Sequence, residues 1–401
     1  MPTLTDYIQF DGRHWETGSV HNFYAYRGVT APHTGQPMSE ALLMGISGGI
    51  VFGYFSFAYE GYDPMCAILS RNTFDPWDRM LTRLGVVQNV YQTAKPDRAE
   101  RKLLNTLEEG TPAIVWADYF TLPYNHFKLD DGMWGMMPLV VYGLNESEAH
   151  IADRSGVGLT ISAETLRTTR ARVKKQKHRF MTLEAPDFDK LPNAVSAGIW
   201  DTIKIFTEKP PKGSKKNFGF DGYKNWINLL TKSKGKQSWA SVFPHGRKLF
   251  AGLLSAHERI ATFGQVRCGA DRHTFADFLN EASVILNRPA LNEAATLFRA
   301  SASEWCKLGE RLLSDEVPLL GEARRLAVKR HQLFTERGQA AEVEVVETLA
   351  RLDEIWALVS AEFPLSENES AHLKQQIATQ VEVIRDVERQ AITELQSAML
   401  S

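Results

Sequence analysis

The first half of the chain alternates between two kinds of hydrophobic pattern. ETGSVHNFYAYRG reads as a helix that starts near Glu16 and stops at a glycine, and MSEALLMGIS reads as a second helix. GGIVFGYFSFAYE is aromatic and β-branched and predicts a strand leaving a glycine turn, followed by a short apolar strand, MCAILS. PWDRMLTRLG is an amphipathic helix closed by Gly85, VVQNVYQT a strand, and DRAERKLLNTLEEG another glycine-closed helix. TPAIVWADYF, MMPLVVYGLN and EAHIADRS then read as three successive strands. AETLRTTRARVKKQKH reads as one basic helix and RFMTLE as a last strand. A helical start followed by mostly antiparallel strands predicts an α+β domain over residues 1–186.

After a linker-like APDFDKLP the pattern is helical almost throughout. The spacing of Phe250, Leu253 and Leu254 follows one helix face. The predicted division is an all-α domain over 187–315 and a long charged helical extension over 316–401. The last helices are rich in Glu, Arg and Gln. The plain reading is an arm packed on the bundle, with a homodimer surface as the alternative, and the heptads are too broken for a coiled coil.

Composition narrows the classes. Of 401 residues 43% are hydrophobic and 23% charged, with a formal net charge of −2, so the whole molecule has no strong pull toward nucleic acid or acidic membranes. No run approaches the roughly 18 apolar residues of a membrane span. The N-terminus does not read as a signal peptide. Cys66, Cys268 and Cys306 show no CxxC spacing, which argues against a disulfide framework and for a reducing, cytoplasmic setting. Cys66 and Cys306 read as small buried hydrophobes, and Cys268 in GQVRCGADRH, beside Arg267 and near His273, reads as a structural residue, with a reactive thiol as the alternative. The glycines at 45, 48, 49 and 53 do not form GxGxxG, there is no phosphate-loop motif, and HERIA at 257 lacks a second histidine. Neither a nucleotide or other cofactor nor a metal is expected.

Four blocks in order carry a resemblance. HWETGSVHNFYAYRG is similar to a family pattern HCETxxLRNLLAYxG, and SEALLMGISGGIVFGYF to SEAxxFGxGGGxGFxYF. IVWADYFTLPY matches a D-x-x-x-LPY element after an apolar strand, and VVYGLNESEAHIADRS a strand, turn and strand ending in ADR. Together with GLLSAHERIATFG and FADFLNEAS, these resemble the butirosin biosynthesis protein H family and its usual helical C-terminal domain of unknown function, over most of residues 12–315. The resemblance implies a papain-like α+β N-terminal domain with an all-α C-terminal domain. It also implies transfer of an aminoacyl group from an acyl carrier protein to an aminoglycoside amine. That chemistry requires a thiolate, a histidine base and an orienting carboxylate or amide.

Carried over residue by residue, the cysteine position is Trp15, the histidine position falls at or near Met137, and only Asp153 matches, as the orienting carboxylate. An indole cannot attack an acyl carbon and a thioether cannot relay a proton. Two readings follow. In the first, the chain is a catalytically degenerate acyltransferase relative of natural-product metabolism that binds a small molecule, an acyl carrier protein or a pathway partner, its cleft, lined by Trp15, Glu16, Asp118, Met137 and Asp153, either holding a ligand or standing plugged. In the second, an acyl or aminoacyl transferase or amide hydrolase works with a rebuilt site using Asp153 with His14 or His126. Asp153 with Arg154 is either a polar anchor or a salt-bridged strand end. Arg172, Lys174, Lys175 and Lys177, in a basic stretch, form a candidate dock for an acidic acyl carrier protein, the plain alternative being a solvated surface.

Overall fold

The structure, a computed structural model, describes residues 3–127 and 132–401. Along the chain come α1 (Trp15–Tyr26), α2 (Glu40–Ile46), β1 (Ile50–Phe57), β2 (Met65–Arg71), α3 (Pro76–Arg83), β3 (Gln88–Tyr91) and α4 (Pro96–Glu108). Then follow β4 (Ala113–Asp118), β5 (Met136–Leu144), β6 (Glu148–Ala152), β7 (Leu159–Ser162), α5 (Ala163–Ala171) and β8 (Phe180–Leu183). Beyond β8 the described chain is helical: α6 (Leu191–Thr207), α7 (Gly219–Thr231), α8 (Trp239–Val242), α9 (Arg247–Ala261), α10 (Arg272–Ile285), α11 (Leu291–Leu312), α12 (Pro318–Arg337), α13 (Glu342–Ala361) and α14 (Glu367–Leu400).

These elements form two compact units that interleave in sequence. One comprises residues 1–43, 81–191 and 332–346, and the other 44–80, 192–331 and 347–401. The expected divisions at 186/187 and 315/316 follow linear order. Compactness instead groups the β1–β2 hairpin with the helices of the second half and residues 332–346 with the sheet.

The first unit is built on a six-stranded sheet in the order β3-β8-β4-β5-β6-β7, antiparallel at every pairing. The central strand β4 is buried along nearly its whole length, because α1, α4 and α5 pack against it. Helix α1 ends where Gly28 takes a left-handed φ of 68°, a conformation that costs glycine nothing. The hydrophobic pattern does not announce β7, whose four residues leave too short an alternation to read. The basic helix expected over 163–178 is also corrected. It stops at Ala171, Val173 is extended, and Lys174–Gln176 form a separate 3-10 turn, because Arg170 and Arg172 are drawn to partners inside the unit.

The second unit is assembled around a buried ion pair. Arg272, the first residue of α10, and Glu388 of α14 have fully buried side chains. Arg272 Nε donates to Glu388 Oε1 at 2.6 Å and Nη2 to Oε2 at 3.2 Å. The remaining guanidinium hydrogens reach the carbonyls of Ala270 (2.8 Å), Val51 (3.1 Å) and Ser70 (3.4 Å). Glu388 also accepts from the Tyr223 hydroxyl at 2.8 Å, Ser301 Oγ at 2.9 Å and Trp305 Nε1 at 3.0 Å. Around it Phe52 stacks on Tyr223 at 3.7 Å, and Trp226 stacks on Tyr54 and Trp305. Helix α14 is started by a capping box in which the Ser366 and Glu369 side chains exchange bonds with each other's backbone N–H.

The cysteine reading is corrected in this unit. Cys268 and Cys306 are paired as a disulfide, with their Cα atoms 5.7 Å apart, while Cys66 is free and buried. The histidine of HERIA is internal too. His257 is buried, its Nδ1 lies 3.0 Å from the Gly309 carbonyl, and burial, with Arg324 nearby, pushes its pKa down to about 4. Among the described residues no helix is long and apolar enough to cross a membrane, and none of their His, Cys, Asp and Glu side chains cluster as a metal site.

Two predictions follow from this core. Glu388→Gln leaves the Arg272 charge uncompensated in the interior and lowers unfolding free energy by about 3–5 kcal/mol, whereas Tyr223→Phe costs about 1 kcal/mol. Urea titration of the two variants checks the ratio. For His257, the folded-state pKa lies below the unfolded value. Its stabilising contribution is therefore present above about pH 6.5 and lost as the pH falls toward 4, up to roughly 3 kcal/mol. His257→Gln removes that share of the loss between pH 7.5 and pH 4.5, read as a smaller shift of the urea midpoint.

Candidate functional site

Antiparallel pairing brings four chain segments to one end of the first unit's sheet. The end of β4 meets the start of β5, with Ala117 opposite Met137 and Asp118 opposite Met136. The start of β5 meets the end of β6, with Val140 opposite Ala152. Asp118, Met137 and Asp153 therefore share this end, and α1 packs on β4 and β5 with its first residue turned toward it.

The start of α1 is held by a carboxylate. Glu40 accepts from the backbone N–H of Arg13 at 2.6 Å and His14 at 3.1 Å, and from Thr17 Oγ1 at 2.6 Å. An acid is favourable there, because the first N–H groups of a helix have no intrahelical partner and carry its positive end. His14 is the N-cap, and its Nδ1 accepts from the Glu16 N–H at 3.3 Å. Accepting there leaves that nitrogen a lone pair committed to the helix. Glu16 is half-buried in the first turn.

Trp15 follows and is only 5% exposed. Its indole meets Tyr119 edge to face at 5.7 Å, and the Arg154 guanidinium carbon lies 4.6 Å from its ring centroid. A second aromatic neighbour of that guanidinium is Phe334, at 4.9 Å, from the segment 332–346 that belongs to the same unit. Arg154 thus reaches two rings while donating to Asp153 from Nε (3.3 Å) and Nη2 (3.2 Å), and from Nη2 to Asn125 Oδ1 at 2.7 Å. Such a cation over aromatic faces contributes about 1–2 kcal/mol when desolvated.

Asp153 is 5% exposed and also accepts from the Tyr124 hydroxyl at 3.0 Å. Burial, and then the charge of Asp153, push the Tyr124 pKa well above its usual value, so the phenol stays a neutral donor. Asn125 Nδ2 in turn donates to the Tyr119 carbonyl at 2.8 Å. The loop after β4 is pinned by Asp118, whose Oδ1 accepts from the N–H groups of Gly135 (2.9 Å) and Phe120 (3.3 Å), while Arg172 Nε lies 3.4 Å from its Oδ2.

The structure therefore links Trp15 to Asp153 through Arg154, while Asp118 at the end of β4 faces Phe120, Gly135 and Arg172, and Met137 is half-buried on the neighbouring strand. His126 is half-buried with a left-handed φ of 53°, and its neighbours Tyr124 and Asn125 are the ones that reach Asp153 and Arg154. Of the expected docking residues, Arg172 turns toward buried Asp118, whereas Lys174, Lys175 and Lys177 are exposed. Lys175 Nζ stands 5.4 Å from the ring of Trp134, itself 52% exposed. Tyr119, Tyr124, Asn125, Glu40 and Phe334 complete the cluster without having been singled out from sequence. Tyr124 lies in the LPY element and Glu40 in the SEA block, so both carried a signal, whereas Phe334 carried none.

This arrangement defines a mixed helix-and-sheet domain, with a helix start set against one end of an antiparallel sheet, followed in sequence by an all-helical region. Residues 14–154 match the family model described as Butirosin biosynthesis protein H, N-terminal, and residues 164–327 match Domain of unknown function (DUF4872). The N-terminal part of the chain thus matches the butirosin biosynthesis protein H N-terminal model, and the segment after it the second model. A search of curated proteins found no match.

The packing predicts that Trp15→Ala removes both the indole and the face on which Arg154 rests, lowering stability by about 3–5 kcal/mol. Chemical denaturation followed by far-UV circular dichroism checks this. A loss under 1 kcal/mol means the indole is not part of the packed interior.

Proposed function

We propose that this chain is a catalytically silent relative of the butirosin biosynthesis protein H acyltransferases, serving natural-product metabolism by binding an acidic carrier protein rather than by transferring its acyl group. The single observation carrying this reading is Trp15. It stands where the resemblance puts the nucleophilic cysteine, at the start of a helix set against an antiparallel sheet as a papain-like fold requires. It is buried, and the Arg154–Asp153 pair lies against it. The carboxylate that would orient a histidine base is instead bonded to Tyr124 and Arg154. Met137 at the histidine position offers no proton. The atoms an acyl transfer needs, a thiolate and a base, are replaced by packing and a closed ion pair.

A binding role fits the surface nearby. Lys174, Lys175 and Lys177 are exposed, Lys175 beside the exposed Trp134, and acyl carrier proteins present acidic surfaces that such lysines steer and hold. The test uses a carrier protein loaded with an aminoacyl thioester. The expected result is binding by calorimetry, no thioester loss above the blank by mass spectrometry, and affinity reduced about tenfold or more in the Lys174→Glu, Lys175→Glu, Lys177→Glu triple variant with unchanged thermal unfolding. Thioester turnover above the blank, or a covalent acyl adduct on the protein, overturns the silent reading. Unchanged affinity in the triple variant overturns the docking surface.

A further inference from the structure

The loop between α9 and α10 is an unusual piece of backbone. Gly269, Ala270 and Asp271 take consecutive positive φ values of 121°, 50° and 64°. Two of the three are not glycine, and such a run persists only where its surroundings over-determine it. The inner constraint is already clear. Asp271 Oδ2 accepts from Ser70 Oγ at 2.6 Å and from Gln265 Nε2 at 3.1 Å, and its own N–H donates to Gln265 Oε1 at 2.9 Å. The next residue is Arg272, the centre of the buried network.

The outer constraint is α11. A Cβ built on Gly269 would lie 3.0 Å from the Ala302 Cβ, so the loop rests directly on that helix. One turn on, Cys306 is bonded to Cys268. Residues 302 and 306 share one helix face, and Ser301 and Trp305, one step round, donate to Glu388. The disulfide therefore clasps the loop against the helix whose adjoining side holds the network together. Both cysteines are half-buried and Cys268 is preceded by exposed Val266 and Arg267, so the bond is reachable from solvent, unlike Cys66.

We propose that Cys268–Cys306 is a reversible redox clasp, opened and closed by thiol–disulfide exchange with a low-molecular-weight thiol, and that its state sets the mobility of residues 262–271. A small thiolate attacks Sγ of Cys268, forming a mixed disulfide and releasing Cys306 as a thiolate that takes up a proton. A second small thiolate attacks the external sulfur of that mixed disulfide. Cys268 leaves as a thiolate and is protonated, and the small-molecule disulfide is released. Two small thiols are oxidised as one protein disulfide is reduced, and the reverse sequence closes the clasp.

The full-length protein is equilibrated in reduced and oxidised glutathione mixtures, acid-quenched, alkylated and mapped by mass spectrometry. The expected result is reversible interconversion of the Cys268–Cys306 pair, with Cys66 unalkylated under native conditions in every mixture. In parallel, hydrogen–deuterium exchange of residues 262–271 rises at least several-fold on reduction and Tm falls by roughly 5 °C. Cys268→Ser shows the loop exchange of the reduced wild type in all mixtures. Two thiols that never pair under oxidised glutathione overturn the proposal. So does a pair whose reduction leaves the exchange of 262–271 unchanged, and so does a Cys268→Ser variant whose loop is as protected as in the oxidised wild type.

Discussion

One ion pair holds the second unit in register. Removing two charges from water costs several kcal/mol each, so Arg272 and Glu388 are tolerable inside only because nearly every lone pair and hydrogen they carry is spoken for. The donors and acceptors that do this come from β1, β2, the loop before α10, α7, α11 and α14. The hydrophobic effect would accept many packings of these helices, since it is indifferent to direction. The network is not, because a helix rotated by one residue would strand a buried charge. Apolar burial supplies the driving force here, and the ion pair selects one arrangement.

The first unit applies the same logic at smaller scale. Asp153 and Arg154 neutralise each other, Tyr124 and Asn125 take up the spare bonding capacity, and two aromatic rings cover the cation. Here the phenol is held neutral by burial and the guanidinium is always charged.

Much of this was legible in the hydrophobic pattern, and for identifiable reasons. Strands such as IVFGYFSF and AIVWAD are long enough for their composition to speak, and glycine stops and caps mark helix ends locally. That Trp15 stands where the resemblance expects a nucleophile is visible because identity at one position carries it. What stayed hidden depends on partners far away in sequence. Glu388 sits in EVIRDVERQ, which reads as solvated helix, and its donors lie up to 165 residues upstream. Phe334 is 180 positions from the arginine it covers. The cysteines are 38 residues apart, a spacing that belongs to no motif. The basic helix failed for a related reason. Arg170 and Arg172 look like surface charge until their acceptors, a carbonyl and a buried carboxylate, are placed.

The interleaving of the units bears on synthesis. A chain leaves the ribosome from its N-terminus, and domains with contiguous sequence can fold as they emerge. Neither unit here is contiguous. The sheet of the first is joined by residues 332–346, whose Gln339 amide exchanges two 2.7 Å bonds with the backbone of Thr160, and the hairpin of the second is bonded by Arg272, itself held by Glu388. Most of the polypeptide must therefore be made before either core can close. Closing either core thus depends on contacts between segments far apart in sequence, the kind of contact whose loop-closure entropy slows folding.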